Sequence, residues 1–200
     1  MSSRAATLQR AAFPRAGWLA DGIAVLAGVA LISLSAQVSI PLPFTPVPIT
    51  GQTFSVLLVG AALGTARGGT SGLLYVLIGA AGAPVYADGA HGWAVLTGAT
   101  GGYLVAFPLA AALTGWLAER RWDRRFSSAL GAMLTGNVAV YLVGLPWLAA
   151  VLDTDLEKTL ELGLYPFVPG DVLKLYLASA LLPAAWRVAG RGGTRHLRGE

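Results

Sequence analysis

Six long apolar runs, near residues 18–38, 50–66, 69–84, 97–118, 127–151 and 170–188, leave this chain few folds to choose from. A membrane crossing needs about 20 apolar residues, and fewer where the protein thins the bilayer. The runs are continuous rather than alternating, which excludes a β-barrel. Only 12% of the residues are charged, against about 25% in soluble domains, so the solvent this chain is built for is lipid. The expected fold is therefore an all-α integral membrane protein, a compact bundle of six transmembrane helices. The runs at 50–66 and 69–84 are short, and their limits are the least sharply marked.

Charge fixes the orientation. Arg4, Arg10, Arg15, Arg67, Arg120, Arg121, Arg124, Arg125, Arg187, Arg191, Arg195 and Arg198 all fall in the N-terminal tail, the C-terminal tail or alternate loops. The opposite loops carry Lys158 with Asp88, Asp153, Asp155, Glu157 and Glu161. By the positive-inside bias, both termini are expected in the cytoplasm of a multi-pass cell-membrane protein. The domain plan is a basic tail over 1–17, a six-helix membrane domain over 18–188 and a second basic tail over 189–200. Three arginines ahead of an apolar stretch imitate a signal peptide, but that stretch is too long for one and no cleavage site follows it. The net charge of +4 lies in short juxtamembrane clusters, which fit anionic membrane lipid rather than nucleic acid.

Once orientation is set, every polar residue in a run acquires a depth. Gln52, Tyr86, Thr100, Tyr103, Tyr141, Asp171 and Lys174 gather toward the outer side, with Asn137 near mid-depth. The inner halves are mostly Ala, Leu, Val and Gly. A pore would need polar lining through its whole length, whereas a polar pocket closed below is a capture site. Lys174 is the sharpest signal, because a charge in hydrocarbon costs roughly 2.5–3.5 kcal/mol on insertion scales.

Structural readings stand beside these. Asp171, following Pro169-Gly170, can cap the last helix, and Lys174 can pair with it at i+3 or snorkel to the surface. Asn137 can bond between helices. Tyr103 and Tyr141 can belong to an interfacial belt, the natural place for Trp18, Trp116, Trp122, Trp147 and Trp186.

Four prolines, Pro41, Pro43, Pro46 and Pro48, make the segment from Ser39 to Thr50 a stiff extended strap, expected to lie over the pocket mouth. Gly98 to Tyr103, with Thr100 and Gly101, opens the fourth helix; its glycines allow close backbone approach and its free N–H groups can receive an acceptor or anion, while the same pattern can equally serve tight helix packing. Ala20, Ala24 and Gly28 repeat every four residues and give the first helix a face nearly without side chains, suited to close helix contact.

The absences matter as well. The sequence has no cysteine, no phosphate-binding G-x-x-x-x-G-K-[ST] loop and no Ser-His-Asp arrangement. His91 and His196 fall on opposite sides of the membrane, so no metal pair is expected. Nothing marks the chain as an enzyme, and no catalytic residue, metal or cofactor is implied.

Several segments together carry a specific resemblance. Pro43-Phe44-Thr45-Pro46-Val47-Pro48-Ile49-Thr50-Gly51-Gln52-Thr53, Gly82-Ala83-Pro84-Val85-Tyr86, Thr100-Gly101-Gly102-Tyr103-Leu104 and Pro166-Phe167-Val168-Pro169-Gly170-Asp171-Val172-Leu173-Lys174 resemble the BioY family, in order and spacing, from about residue 18 to 186. These are the biotin-capturing S components of energy-coupling-factor transporters. The resemblance implies a six-helix S-component fold that binds biotin from outside. A membrane coupling subunit and two ATP-binding cassette ATPases would power import, and the Ala20–Ala24–Gly28 face would dock the coupling subunit. It further implies Asp171 accepting a ureido N–H and Lys174 donating to a ligand oxygen, with Thr100, Gly101, Tyr103, Asn137 and Gln52 as additional polar contacts. Ala99 stands where the family often has proline and Tyr86 where phenylalanine is common, the latter adding a hydroxyl near the site. An S component for another small vitamin, or a structural membrane subunit in which Asp171 and Lys174 form an internal salt bridge, are the competing readings.

Overall fold

The structure, a computed structural model, describes residues 7–12 and 17–195, with side chains described for 7–11 and 17–189. Arg4, Arg15, His196 and Arg198, and the side chains of Arg191 and Arg195, lie outside those described.

Nine α-helices and one hairpin follow in order among the described residues, with short 3-10 turns at Ala87–Gly89 and Trp122–Arg124: α1 (Leu8–Ala12), α2 (Trp18–Ala36), β1 (Ser39–Leu42), β2 (Thr45–Thr50), α3 (Gln52–Leu63), α4 (Thr65–Ala80), α5 (Trp93–Thr97), α6 (Gly101–Ala118), α7 (Phe126–Leu152), α8 (Leu156–Gly163) and α9 (Val168–Arg195). Four of them, α2, α6, α7 and the Val168–Ala189 portion of α9, are long and apolar enough to cross a membrane. These coincide closely with the runs at 18–38, 97–118, 127–151 and 170–188.

The two short runs are redrawn. Instead of 50–66 and 69–84, the helices are α3, of 12 residues, and α4, of 16. Gly64 separates them with φ +88°, a conformation a side chain resists, so the chain turns at Gly64 rather than near Arg67. Close approach continues along the pair. A Cβ on Gly68 would lie 2.7 Å from the Gly60 Cα, and one on Gly60 would lie 2.3 Å from the Ala111 carbonyl of α6.

Helix α6 is the axis of the bundle, packed against α3, α4 and α7, while α9 covers α7 and α2 covers α4. Burial follows that placement: 61% of the apolar window of α6 is buried, against 22% for α2. The core joins Ile32, Val56, Leu57, Tyr75, Phe107, Met133 and Leu182. On α2 the large apolar residues Leu19, Ile23, Leu26 and Leu34 are exposed, a surface that lipid solvates at no penalty. Pro108, Pro146 and Pro183 lie inside α6, α7 and α9, which is tolerated where neighbouring helices satisfy the freed backbone groups.

The proline-rich segment is extended, as its φ restriction demands, but it is an antiparallel hairpin rather than a single strap. Ser39 pairs with Thr50, Ile40 with Ile49 and Leu42 with Thr45, and the register slips around Pro41. A second addition is α8, in the loop before α9. The Asp155 carboxylate caps it by accepting the Lys158 backbone N–H at 2.8 Å, the usual remedy for an orphan donor.

Candidate binding site

A cavity of about 250 Å³ opens at the hairpin end of the bundle, walled by β2, the starts of α3, α6 and α9, the middle of α7 and the 86–90 segment. The described arginines of the α3–α4 corner and the α6–α7 turn sit at the other end.

Asp171 is the centre of its polar wall. Helix α9 begins at Val168, and the Asp171 backbone N–H already donates to the Phe167 carbonyl at 2.8 Å. Its carboxylate is thus not a helix cap and points inward instead. Oδ2 accepts from the Tyr141 hydroxyl at 2.5 Å and from the Asn137 amide at 3.1 Å. Oδ1 lies 3.2 Å from Lys174 Nζ, one helical turn on. Lys174 also reaches Thr53 Oγ1 at 3.4 Å. Asp171 is 6% exposed, so the charge is buried yet fully accompanied, which is the condition for a buried ion to persist.

Gln52 is the second polar element. Its Nε2 donates to the Tyr75 hydroxyl at 2.5 Å, and its Oε1 accepts from Thr50 at 2.8 Å. The amide is fixed from both sides before any ligand arrives. Apolar wall comes from Val47, Leu104, Phe107, Val140 and Phe167.

The expected site residues separate into three groups. Gln52, Tyr86, Thr100, Tyr103, Tyr141, Asp171 and Lys174 all line the cavity. Asn137 stands behind Asp171, outside the lining, and acts on the cavity only through that carboxylate. Gly101 is not at the cavity: its N–H donates to the Gly98 carbonyl at 3.1 Å, and a Cβ there would lie 1.7 Å from the Leu96 carbonyl oxygen. The tight corner, not ligand approach, requires that glycine.

Two tyrosines present rings rather than hydroxyls. The Tyr86 hydroxyl donates to the Val76 carbonyl at 2.6 Å and so is turned into α4 instead of toward the site. Tyr103 donates to the Gly163 carbonyl at 3.0 Å, tying α6 to α8, while its ring meets Tyr141 edge-on at 6.2 Å. The Trp147 indole N–H donates to the Gly98 carbonyl at 3.0 Å and braces the loop before α6.

The sequence places Thr53 beside Gln52 and Asp88 in an outer loop without assigning either to the site, and gives Tyr75 no role. Thr53 is one residue from Gln52 and shares its helix end. Tyr75 was signalled only by a large polar ring among the small residues of α4. Asp88 lines the cavity and accepts from Ser39 at 3.0 Å.

The hairpin is fastened at three points. Val47 is buried with Leu148 and Phe167, the Thr45 hydroxyl donates to the Leu162 carbonyl at 2.7 Å, and the Ser39 hydroxyl donates to the Asp88 carboxylate at 3.0 Å.

A second concavity is entirely different in character. Ala24, Gly28, Leu58, Ala62, Leu181 and Ala185 line an apolar groove of about 630 Å³ between α2, α3 and α9. Gly28 is there because a Cβ would meet Ser71 Oγ at 2.6 Å. Ala20 is not part of that lining.

Fold and cavity together define a helical membrane protein with a ligand-sized site at one end, closed below by its own core. The sequence pattern of the BioY family matches residues 5–191. The chain belongs to the BioY family. It is 35% identical over 158 residues to the biotin transporter BioY of Rhizobium etli, covering 76% of this chain and 84% of that one. Against the biotin transporter BioY of Thermotoga maritima it is 40% identical over 152 residues, 76% of this chain and 87% of the other. Its fold matches, with TM-score 0.77 and 26% identity, a crystal structure of the S-component for biotin from an ECF-type ABC transporter, covering 84% of this chain and 92% of that one.

Proposed function

We propose that this chain is the biotin-capturing subunit of a biotin uptake transporter in the cell membrane. The observation that carries the reading is the buried Asp171–Lys174 pair on the cavity wall, with donors and acceptors on one side and apolar surface on the other. Biotin has matching parts: a ureido ring that both donates and accepts, an apolar thiophane and valeryl chain, and a carboxylate. Asp171 retains acceptor capacity at Oδ1 for a ureido N–H, and Lys174, with two of its three donors directed at protein oxygens, offers the third to a ligand oxygen. Gln52 and Thr100 add polar contacts, and Tyr86, Tyr103 and Phe107 supply flat apolar wall. Asn137 and Tyr141 hold Asp171 in place.

In this reading residues 18–188 cross the membrane six times, with α3 and α4 as short second and third crossings and the tails 1–17 and 189–200 cytoplasmic. Support comes from the charge asymmetry: the described arginines lie at the end away from the cavity, so the cavity faces outside. The role is binding rather than catalysis and calls for no cofactor. An energy-coupling-factor coupling subunit with two ATP-binding cassette ATPases supplies the energy. The apolar groove at Ala24 and Gly28, extended by Ala20 along α2, is the docking face for that coupling subunit.

The test is accumulation of radiolabelled biotin in cells that lack their own biotin uptake. Cells expressing the chain with coupling subunit and ATPases are expected to concentrate biotin, and the Asp171→Asn form to fail. Equal accumulation with and without the chain would refute the assignment.

A further inference from the structure

At the end of the bundle away from the cavity lies a groove of about 700 Å³ between the α6–α7 turn, the first turn of α7 and the 183–187 stretch of α9. Arg121, Arg124, Arg125 and Arg187 line it, with Trp186 among them. Among the described residues, the carboxylate that reaches this cluster is that of Asp123, 3.6 Å from Arg124. Asp123 is only 1% exposed and is turned inward, accepting the Trp186 indole N–H at 2.5 Å. Burial pushes its carboxyl up, opposed by that hydrogen bond and by Arg124. It is therefore a poor counter-charge for the groove as a whole.

The fold nevertheless holds the cations together. Arg124 is 3.6 Å from Asp123 and stacks 3.3 Å over the Trp186 ring, which fixes its place. Among the described residues, Arg121, Arg125 and Arg187 have no ion-pair partner. Arg121 sits at φ +68°, a left-handed conformation that a non-glycine residue resists. Helix α7 starts immediately beyond at Phe126 with no side-chain cap, so its positive end adds to the same field. Like charges gathered this way repel unless an anion joins them.

The surroundings tell which anion. Phe126 and Tyr176 meet edge-on at 5.1 Å next to the groove, and both are exposed. Tyr176 lies ten residues before Trp186 on α9, toward the membrane interior, so an apolar strip leads from the cations into the hydrocarbon layer. A free phosphate would use the guanidinium groups and leave that strip idle.

We infer that this groove is a binding site for one anionic phospholipid, its phosphate held by Arg121, Arg125 and Arg187 and an acyl chain lying along Phe126 and Tyr176. The arrangement differs from the diffuse attraction of juxtamembrane arginines for anionic lipid, because one groove gathers Arg121, Arg125 and Arg187 around an Arg124 that Asp123 and Trp186 hold in place. The inference does not depend on what the outer cavity binds.

Native mass spectrometry of the detergent-purified chain tests it, with phosphatidylglycerol and phosphatidylcholine of the same acyl chains offered at equal concentration. Phosphatidylglycerol is expected to be retained at least tenfold more than phosphatidylcholine. The preference should disappear in the R121Q/R125Q/R187Q form and weaken with added salt in the unaltered chain. Equal retention of the two lipids, or a preference unchanged both by the triple substitution and by salt, would overturn the site. Displacement of the lipid by millimolar inorganic phosphate would also overturn it, by showing a small-anion site. The salt series keeps the test decisive if the triple variant does not fold.

Discussion

Tyr141 on α7 donates a 2.5 Å hydrogen bond to Oδ2 of Asp171 on α9. This bond joins the two helices at the cavity wall and orients the carboxylate so that its other oxygen faces Lys174. A charged group in an apolar bundle is useful to a ligand only if it is held ready, because reorientation on binding costs affinity. Asn137 performs the same service from behind.

Asp171→Asn should lower biotin affinity at least tenfold, about 1.4 kcal/mol, with the protein still folded, because Asn keeps the size and loses the charge that accepts the ureido N–H. Tyr141→Phe should produce a smaller loss in the same direction, since Asn137 and Lys174 remain. Titration calorimetry on the three purified forms checks the order; equal affinity in all three would remove Asp171 from the site.

Lys174→Ala leaves the Asp171 carboxylate buried with its cation gone, a change that costs roughly 3–5 kcal/mol when a buried pair is broken. Thermal unfolding in detergent should therefore shift down markedly. The double form Asp171→Leu with Lys174→Met should regain most of that stability while binding no biotin. Recovery of stability without recovery of binding separates a ligand-holding pair from an internal salt bridge.

The Thr45 hydroxyl ties the hairpin to the Leu162 carbonyl at 2.7 Å. Thr45→Val keeps the shape and removes the donor, leaving a carbonyl unsatisfied. Biotin dissociation should become several-fold faster with little change in association, as read by stopped-flow fluorescence. An unchanged off-rate would mean that the hairpin does not retain the ligand.

Ala24→Trp fills the apolar groove on α2 without touching the cavity, whose lining does not include it. Biotin binding to the isolated chain should be unaffected, and biotin accumulation by cells with the coupling subunit and ATPases should fall to background. Normal accumulation would place the docking face elsewhere.

How far the sequence could be read depended on the kind of information each residue carries. Apolar length is additive along the chain, so α2 and α7 were legible to within two residues at either end. The α3–α4 corner was not, because the break is a single backbone angle at Gly64 inside a run rich in glycine. Asp171 and Lys174 stood out because charge in a lipid-solvated helix needs a reason. Depth could be read for Asn137, Tyr86 and Gly101, but direction could not. Asn137 turned out to sit behind the carboxylate, the Tyr86 hydroxyl in α4, and Gly101 in a packed corner. The prolines fixed extended backbone between Ser39 and Thr50, yet strand pairing depends on a partner, and so the hairpin register lay beyond them.

The most direct test of the account is equilibrium binding of biotin to the purified chain alone, with thiamine and riboflavin as competitors. The expected result is tight, saturable binding of biotin that neither vitamin displaces and that Asp171→Asn weakens at least tenfold. A folded, monodisperse chain that binds no biotin would contradict the account and return Asp171 and Lys174 to the role of a structural pair.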